Sequence, residues 1–281
     1  MSSFAISPFT MPAALAAADA ILSDPTWIAN TVNPAQVAWL ESFRRRATLA
    51  LTMPEIHHNA TFDPAQHVAW LKAEGWDAQI TGGTPRDIFL AATLNIVAKW
   101  SEVGRAYKDG IVDRAIVKVG ACTSAQRGAE HPVVEVETQH LGFTFCFQQT
   151  NAAPSSPDHL AAIAYDIATR SANESVRLDV PMVDLQTRDD AAYMIGLRSG
   201  PNIVTQAAEQ FRFELNEVGG RASAASEIAV TRSMGPRTIK INGPFIVAVN
   251  RNGAPKDTDK VVFAAFCDRD SWRAPAAGRI V

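Results

Sequence analysis

The chain has 281 residues, enough for one large domain or two ordinary ones, and for a core that needs no disulfide staples. Its 26 Lys and Arg stand against 29 Asp and Glu, a formal charge of -3 with no basic block, which excludes a nucleic-acid groove or an anionic-membrane binder as the expected activity. Apolar residues make up 47% and charged residues 20%, which excludes wholesale disorder, and the longest apolar runs fall well short of a membrane span.

The N-terminus carries no basic n-region, so a leaderless, cytoplasmic chain is the expectation, with secretion left open. Met11, Ala14, Leu15, Ala18, Ile21 and Leu22 recur at helical spacing, and Asp19 interrupts the other face; this predicts a helix stripe rather than a signal core. Asn33-Pro34 opens a helix through about Arg46, with Asn as N-cap and Pro in the first turn. Arg44, Arg45 and Arg46 then suit its C-terminus, where cations complement the macrodipole. Thr48 to Ile56 reads as a strand. Asp63-Pro64 opens another helix through about Glu74, with Gly75 as its C-cap. The two helix starts are near copies, but the echo ends there and makes no repeat. Trp76 to Ile80 reads as a strand. Ile88 to Val97 is an apolar run of the kind buried on both faces.

The second half is richer in strands. Leu141, Phe143, Phe145 and Phe147 alternate with smaller residues. Gln148 to Asp158 is loop-like, and Pro157 to Arg170 is a helix carrying Leu160, Ile163, Ala164 and Ile167. Val176 to Met182 alternates strictly, with Pro181 marking an edge or a bulge. Asp189 to Leu197 is expected as a helix. Phe211, Phe213 and Leu215 alternate with Gln210, Arg212 and Glu214, and strands resume at Thr238 to Ile241, Phe245 to Val249 and Val261 to Cys267. Helices mixed irregularly with many strands predict an α+β fold, and no linker divides the chain, so residues 1–281 read as one domain.

Enzymatic chemistry finds no site in this pattern. His57 and His58 are adjacent and point apart on a strand, His67 sits in a helix, and with Glu55 they form no metal-ligand spacing. Gly82-Gly83 and Gly219-Gly220 lack a phosphate-loop context. Cys122, Cys146 and Cys267 form neither a CxxC pair nor a disulfide framework and read as small buried hydrophobes. No cofactor is implied.

Asn216 to Pro236 is the odd segment. It follows a clear strand, is rich in small residues, and is long for a loop inside a compact domain. It also has a period of two. Ala222, Ala224, Ser226, Ile228 and Val230 share one face, while Arg221 and Glu227 lie on the other. A solvated loop has no need of that pattern, and a strand with one small, uncharged face does.

Asn216-Glu-Val-Gly-Gly-Arg-Ala-Ser-Ala-Ala-Ser resembles the hinge of the serpins, Asn-Glu-x-Gly-Thr-x-Ala-x-Ala-Ala-Thr. Ser7-Pro8-Phe9-Thr10 before an Ala/Leu helix resembles the family's Ser-Pro-x-Ser. Phe89 to Trp100 resembles the central strand that ends in Lys-Gly-x-Trp. Val176-Arg-Leu-Asp-Val-Pro-Met-Val is similar to Val-x-Leu-x-Leu-Pro-Lys-Phe, and Pro244-Phe245-Ile-Val to Pro-Phe-x-Phe. The five matches are collinear over almost the whole chain.

The resemblance implies a serpin-like fold: a central mixed sheet with smaller sheets, surrounding helices and an exposed reactive-centre loop. It also implies a suicide inhibitor of a serine protease, with a cysteine protease as the alternative target, acting as a monomer. The loop is cut as a substrate, and its hinge then inserts as a strand in the main sheet. Gly219 marks the hinge, and Gly220, Ala222, Ala224, Ser226, Ile228 and Val230 form the inserting face. That face must be uncharged, because a buried unpaired charge costs several kcal/mol. Counting from Gly219 favours Ser233-Met234 as the reactive bond, with Arg232-Ser233 as the alternative for a trypsin-like enzyme. The chain departs from the family in lacking its first long helix and in having only Thr81 to Asp87 where a helix crosses the main sheet. Ala92 stands where Asn is usual, Glu209 where His is usual and Gly220 where Thr is usual. These departures keep a second expectation open, a non-inhibitory serpin-like binding or structural protein.

Overall fold

The computed structural model describes residues 2–22, 26–30, 34–77, 88–122, 131–139, 142–170, 172, 174–189, 191–204, 207, 209–220, 237–254 and 259–276. In chain order the elements begin β1 (Phe4–Ile6), α1 (Thr10–Asp19), β2 (Trp27–Ile28), α2 (Pro34–Leu51), β3 (Ile56–Thr61), α3 (Pro64–Ala73), β4 (Phe89–Leu94), β5 (Ala98–Lys99) and β6 (Arg105–Asp109). They continue β7 (Val112–Cys122), β8 (Val134–Glu137), β9 (Phe143–Gln149), α4 (Pro157–Thr169), β10 (Glu174–Pro181), β11 (Val183–Asp189), β12 (Arg198–Ser199) and β13 (Asn202–Ile203). The last are β14 (Glu209–Leu215), β15 (Gly219–Gly220), β16 (Thr238–Lys240), β17 (Phe245–Arg251) and β18 (Val261–Cys267). They fall into two compact units, one of residues 1–6, 96–187 and 211–281, the other of residues 7–95 and 188–210.

The first unit is built on a mixed nine-stranded sheet ordered β1-β18-β17-β9-β8-β7-β10-β16, with β6 paired to β7. Its pairs are antiparallel except β10 with β16, which is parallel. Ser156 caps α4 by accepting from the His159 N–H, and Pro157 fills the first turn. The helix then lays Leu160, Ala164 and Ile167, all fully buried, on Cys146, Ile246, Ala248, Ala264 and Phe266 of the sheet. Ile163, Phe4 and Ile6 pack against the same cluster.

In the second unit α1 packs on α2 and on the β3–β4 pair. Leu15, Phe43, Ala47, Ala191, Met194 and Leu197 make its core. Asp63 caps α3, its side chain accepting from the Ala65 N–H at 2.8 Å, and Gly75 follows with φ of 81°. That left-handed backbone is what makes a glycine suit the helix end.

Four expectations change. Helix α2 runs on to Leu51, so Thr48 to Ile56 is not a strand and the three arginines lie inside the helix. Leu49, Ala50 and Leu51 are strong helix formers, and Pro54 comes just after the end. β4 is strand as expected, but only Thr93 in it is buried, since its hydrogen-bonded neighbour among the described strands is β3 alone. β4, which resembles the family's central strand, lies instead in the pair β3–β4, β14 lies in the pair β11–β14, and the nine-stranded mixed sheet is made of other strands. Asp189 to Leu197 is not a helix: β11 runs through Asp189, and only Ala192–Met194 makes a single 3-10 turn, closed off by Gly196 at φ of 90°. Trp76 to Ile80 lies largely outside the described residues.

Candidate functional site

The described residues include the start of the odd segment, Asn216–Gly220, and the residues that follow it, Arg237–Ile241. Arg221, Ala222, Ala224, Ser226, Glu227, Ile228, Val230, Arg232, Ser233 and Met234 lie outside the described residues. Of the expected site, the structure therefore places Gly219 and Gly220.

β14 leads into the hinge with Phe211, Phe213 and Leu215 buried, and Phe213 stacks on Phe263 with centroids 5.7 Å apart. The Asn216 side chain then turns the chain. Its Oδ1 accepts from the N–H groups of Val218 at 2.8 Å and Gly219 at 3.1 Å, while its own N–H donates to the Gly219 carbonyl at 3.0 Å. Asn does this well because its short amide mimics a backbone turn.

Past the turn, β15 pairs antiparallel with β5, Gly219 opposite Lys99 and Gly220 opposite Ala98. Trp100 holds the preceding residues: its backbone N–H donates to the Val218 carbonyl at 3.1 Å and its Nε1–H to the Asn216 carbonyl at 3.0 Å. The Gly104 N–H adds a bond of 2.6 Å to the Glu217 carbonyl. The indole is fully buried, edge-on to Phe145 at 5.3 Å and to Phe147 at 6.3 Å.

Both hinge glycines are required by space. A Cβ on Gly219 would sit 2.3 Å from the Ala98 carbonyl oxygen and 2.9 Å from Lys99 Cα, which are backbone atoms that cannot step aside. A Cβ on Gly220 would sit 2.8 Å from Cε1 of Phe145, a ring 2% exposed. Phe145 thus fills the room that the threonine usual in serpins would need.

The far end is fastened differently. β16 lies at the sheet edge beside β10, with Thr238 opposite Arg177 and Lys240 opposite Asp179. Arg114 of β7 and Asp179 of β10 form a buried pair, Nε to Oδ1 at 2.8 Å, and the Arg114 Nη2 also donates to the Ile241 carbonyl at 2.7 Å.

Two of the departures noted above can be placed. Glu209 accepts from the Thr10 hydroxyl at 2.7 Å, so the helix start Ser7-Pro8-Phe9-Thr10 makes a polar contact with β14. Ala92 lies in β4 opposite His58.

No group of three or more His, Cys, Asp or Glu among the described residues could hold a metal. His57 Nδ1 lies 2.9 Å from Glu74 Oε2, which also accepts from the Thr93 hydroxyl at 3.1 Å. His67 is buried elsewhere, beside Phe89, and burial pushes its pKa below the usual histidine value. The Cys146 thiol is pushed up to about 12, first by burial and then by the charge of Glu135, and burial also raises that of Cys267. Both are buried free thiols, and the Cys146 sulfur accepts from the Asn250 amide at 3.3 Å. The Cys122 side chain lies outside the described residues.

Sequence reasoning missed Asn216 as a turn, Phe145 as the hinge's neighbour, and the Tyr107, Arg114 and Asp179 cluster. Asp109-Gly110, a strong hairpin signal, could have located β6 and β7: Gly110 has φ of 62°, and Asp109 pairs with Val112 across a two-residue turn.

No protein-family model matches the chain, and no curated protein matches it in sequence. Solved structures do match. Serpin48, a highly specific serpin of the insect Tenebrio molitor, is 14% identical with a TM-score of 0.61, over 95% of this chain and 91% of that one. Tengpin, a thermophilic serpin in its native state, is 14% identical with a TM-score of 0.61, over 94% of this chain and 88% of that one. Thyroxine-binding globulin complexed with thyroxine is 13% identical with a TM-score of 0.57, over 94% of this chain and 92% of that one. The chain has a serpin-like α+β fold.

Proposed function

We propose that this chain is a protease inhibitor rather than an enzyme, a suicide substrate whose loop over residues 221–236 is cut and then drawn into a sheet. The observation that carries the reading is the β15–β5 pair: the hinge has already begun an antiparallel strand. Continuing that register sets Ala222 opposite Ile96. Gly220 turns its missing side chain toward buried Phe145, so even-numbered positions face inward. That is the parity of Ala222, Ala224, Ser226, Ile228 and Val230, all small or uncharged. The whole chain then acts as one serpin-like domain and a monomer, with a serine protease as the target and a cysteine protease as the alternative.

The proposed order of events is short. The protease attacks the bond after Ser233, or after Arg232, and forms an acyl-enzyme. The freed hinge extends its strand before hydrolysis can finish, and the acylated protease is carried with it. The driving force is a ladder of backbone hydrogen bonds and the burial of the small face.

The test is an SDS-stable complex with one of a panel of serine and cysteine proteases, with mass spectrometry deciding between the Ser233-Met234 and Arg232-Ser233 bonds. Ala224→Arg is expected to abolish the complex while leaving cleavage intact, since it buries a long charge; Ala225→Arg is expected to do much less. A wild type that is cleaved in the loop yet forms no complex with any of these proteases sinks the inhibitory reading.

The second reading is a non-inhibitory binding protein. Two observations favour it: Gly220 stands where serpins usually have Thr, and the similar structures include a thyroxine-binding globulin. A loop-cleaved form that gains no thermal stability would select it.

A further inference from the structure

β16 is three residues long, lies at the edge of the nine-stranded sheet and follows directly on residues 221–236. So short an edge strand has little ladder of its own. The Arg177 N–H donates to the Arg237 carbonyl at 2.9 Å, and the Ile241 N–H to the Asp179 carbonyl at 2.9 Å. At the surface Lys240 Nζ meets Asp109 Oδ2 at 2.9 Å, an exposed pair of the kind that contributes little.

A buried tie comes from two strands away. Arg114 is 2% exposed. Its Nε donates to Asp179 Oδ1 at 2.8 Å, and its Nη2 to the carbonyls of Asp179 at 3.2 Å and Ile241 at 2.7 Å. The Tyr107 hydroxyl donates to Asp179 Oδ2 at 2.7 Å, so both carboxylate oxygens are occupied. Burial and the neighbouring Asp179 keep that phenol protonated, as a donor must be.

A buried ion pair is weak evidence for stability, because a well-packed apolar pair of the same volume often replaces it without loss. What an apolar pair cannot do is hold the Ile241 carbonyl, one residue past the end of β16. We propose that Arg114 is a positioning residue for the strand that leaves the loop. Asp179 and Tyr107 aim its guanidinium, and the guanidinium clamps β16 to the sheet through Ile241. The consequence for the loop, a C-terminal end locked in place by charge, rests on the function proposed above; the clamp itself does not.

Hydrogen exchange on the full chain, read by mass spectrometry, tests it without any protease. In Arg114→Met with Asp179→Leu, the amides of residues 238–241 are expected to exchange at least ten-fold faster than in the wild type. Those of β17 and β18 are expected to keep their rates, and the urea midpoint to stay close to wild type. Arg114→Lys keeps the charge but loses the planar fork that reaches Asp179 with one nitrogen and Ile241 with another, so it is expected to show the same local loss. Where the double variant does not fold, Arg114→Lys decides. Unchanged protection at 238–241 in a folded variant overturns the clamp. Equal acceleration across β17 and β18 also overturns it, because the pair then supports the sheet as a whole. A wild type that inhibits no protease leaves either result standing.

Discussion

From Asn216 to Gly220 the chain is fixed by one side-chain amide, a set of backbone hydrogen bonds and two positions with no room for a Cβ. From Arg237 to Ile241 it is fixed by a short parallel ladder and a guanidinium lodged against a carboxylate out of water. The difference lies in how each fastening gives way. A backbone ladder can lengthen or shorten one residue at a time, at about a kcal/mol per bond. A buried ion pair is kept or lost as a unit, since removing one partner leaves the other charged and unsolvated. One end of the segment is built to change by increments, and the other is built not to change.

Arg114→Ala should give the largest effect. It strands Asp179 in the interior and is expected to cost about 3–5 kcal/mol, read as a fall in the urea midpoint. A loss below about 1 kcal/mol would erase the contrast between the two ends. Gly220→Thr comes next, because the Phe145 ring must move by more than a trivial amount. About 1–3 kcal/mol is expected, with faster amide exchange over Val218 to Gly220. The same change in a Phe145→Leu background should cost less; an equal cost would mean that the ring is not the obstacle. Asn216→Ala removes two hydrogen bonds at a turn and should cost about 1 kcal/mol, without altering exchange at 238–241.

The smallest effect belongs to neither end. His67 is buried, and its Nδ1 has no hydrogen-bond partner among the described residues. Its pKa in the fold is lowered from 6.5 by that burial, so the unfolded chain binds the proton more readily. Stability should be full above about pH 6.5 and decline as pH falls toward the lowered value. His67→Leu should flatten that part of a pH series of urea midpoints. An undiminished slope would assign the acid sensitivity to other groups.

Local chemistry was the legible part. Asp63-Pro64 opens a helix as its cap residue requires, Pro157 marks the start of another, alternation located β9 and β14, and β17 and β18 also fall where strands were expected. The end of α2 was not legible from Arg44 to Arg46, since arginine suits a helix interior as well as a C-terminus. Ile88 to Val97 was legible as a strand but not in its burial, which depends on the neighbours a strand acquires. Gly219 and Gly220 stood out as a motif, yet the reasons for them, the Ala98 carbonyl and the Phe145 ring, come from far along the chain. Asp179 sits at a polar position of a strictly alternating strand, and nothing local marks it as the partner of Arg114, 65 residues earlier.

β1 pairs with β18, Phe4 opposite Phe266, and Ser3 donates its N–H to Asp270, 267 residues away. During synthesis the first strand of the large sheet leaves the ribosome well before its partner exists. At roughly 5–20 residues per second the wait is on the order of tens of seconds. Residues 7–95 are complete long before that and can begin to order. The sheet edge that takes up β1 can close only after residues 261–267 have been made, and until then Phe4 and Ile6 lack the strand they pair with. A ribosome stalled before residue 261 should therefore hold a nascent chain in which residues 2–6 remain open to protease.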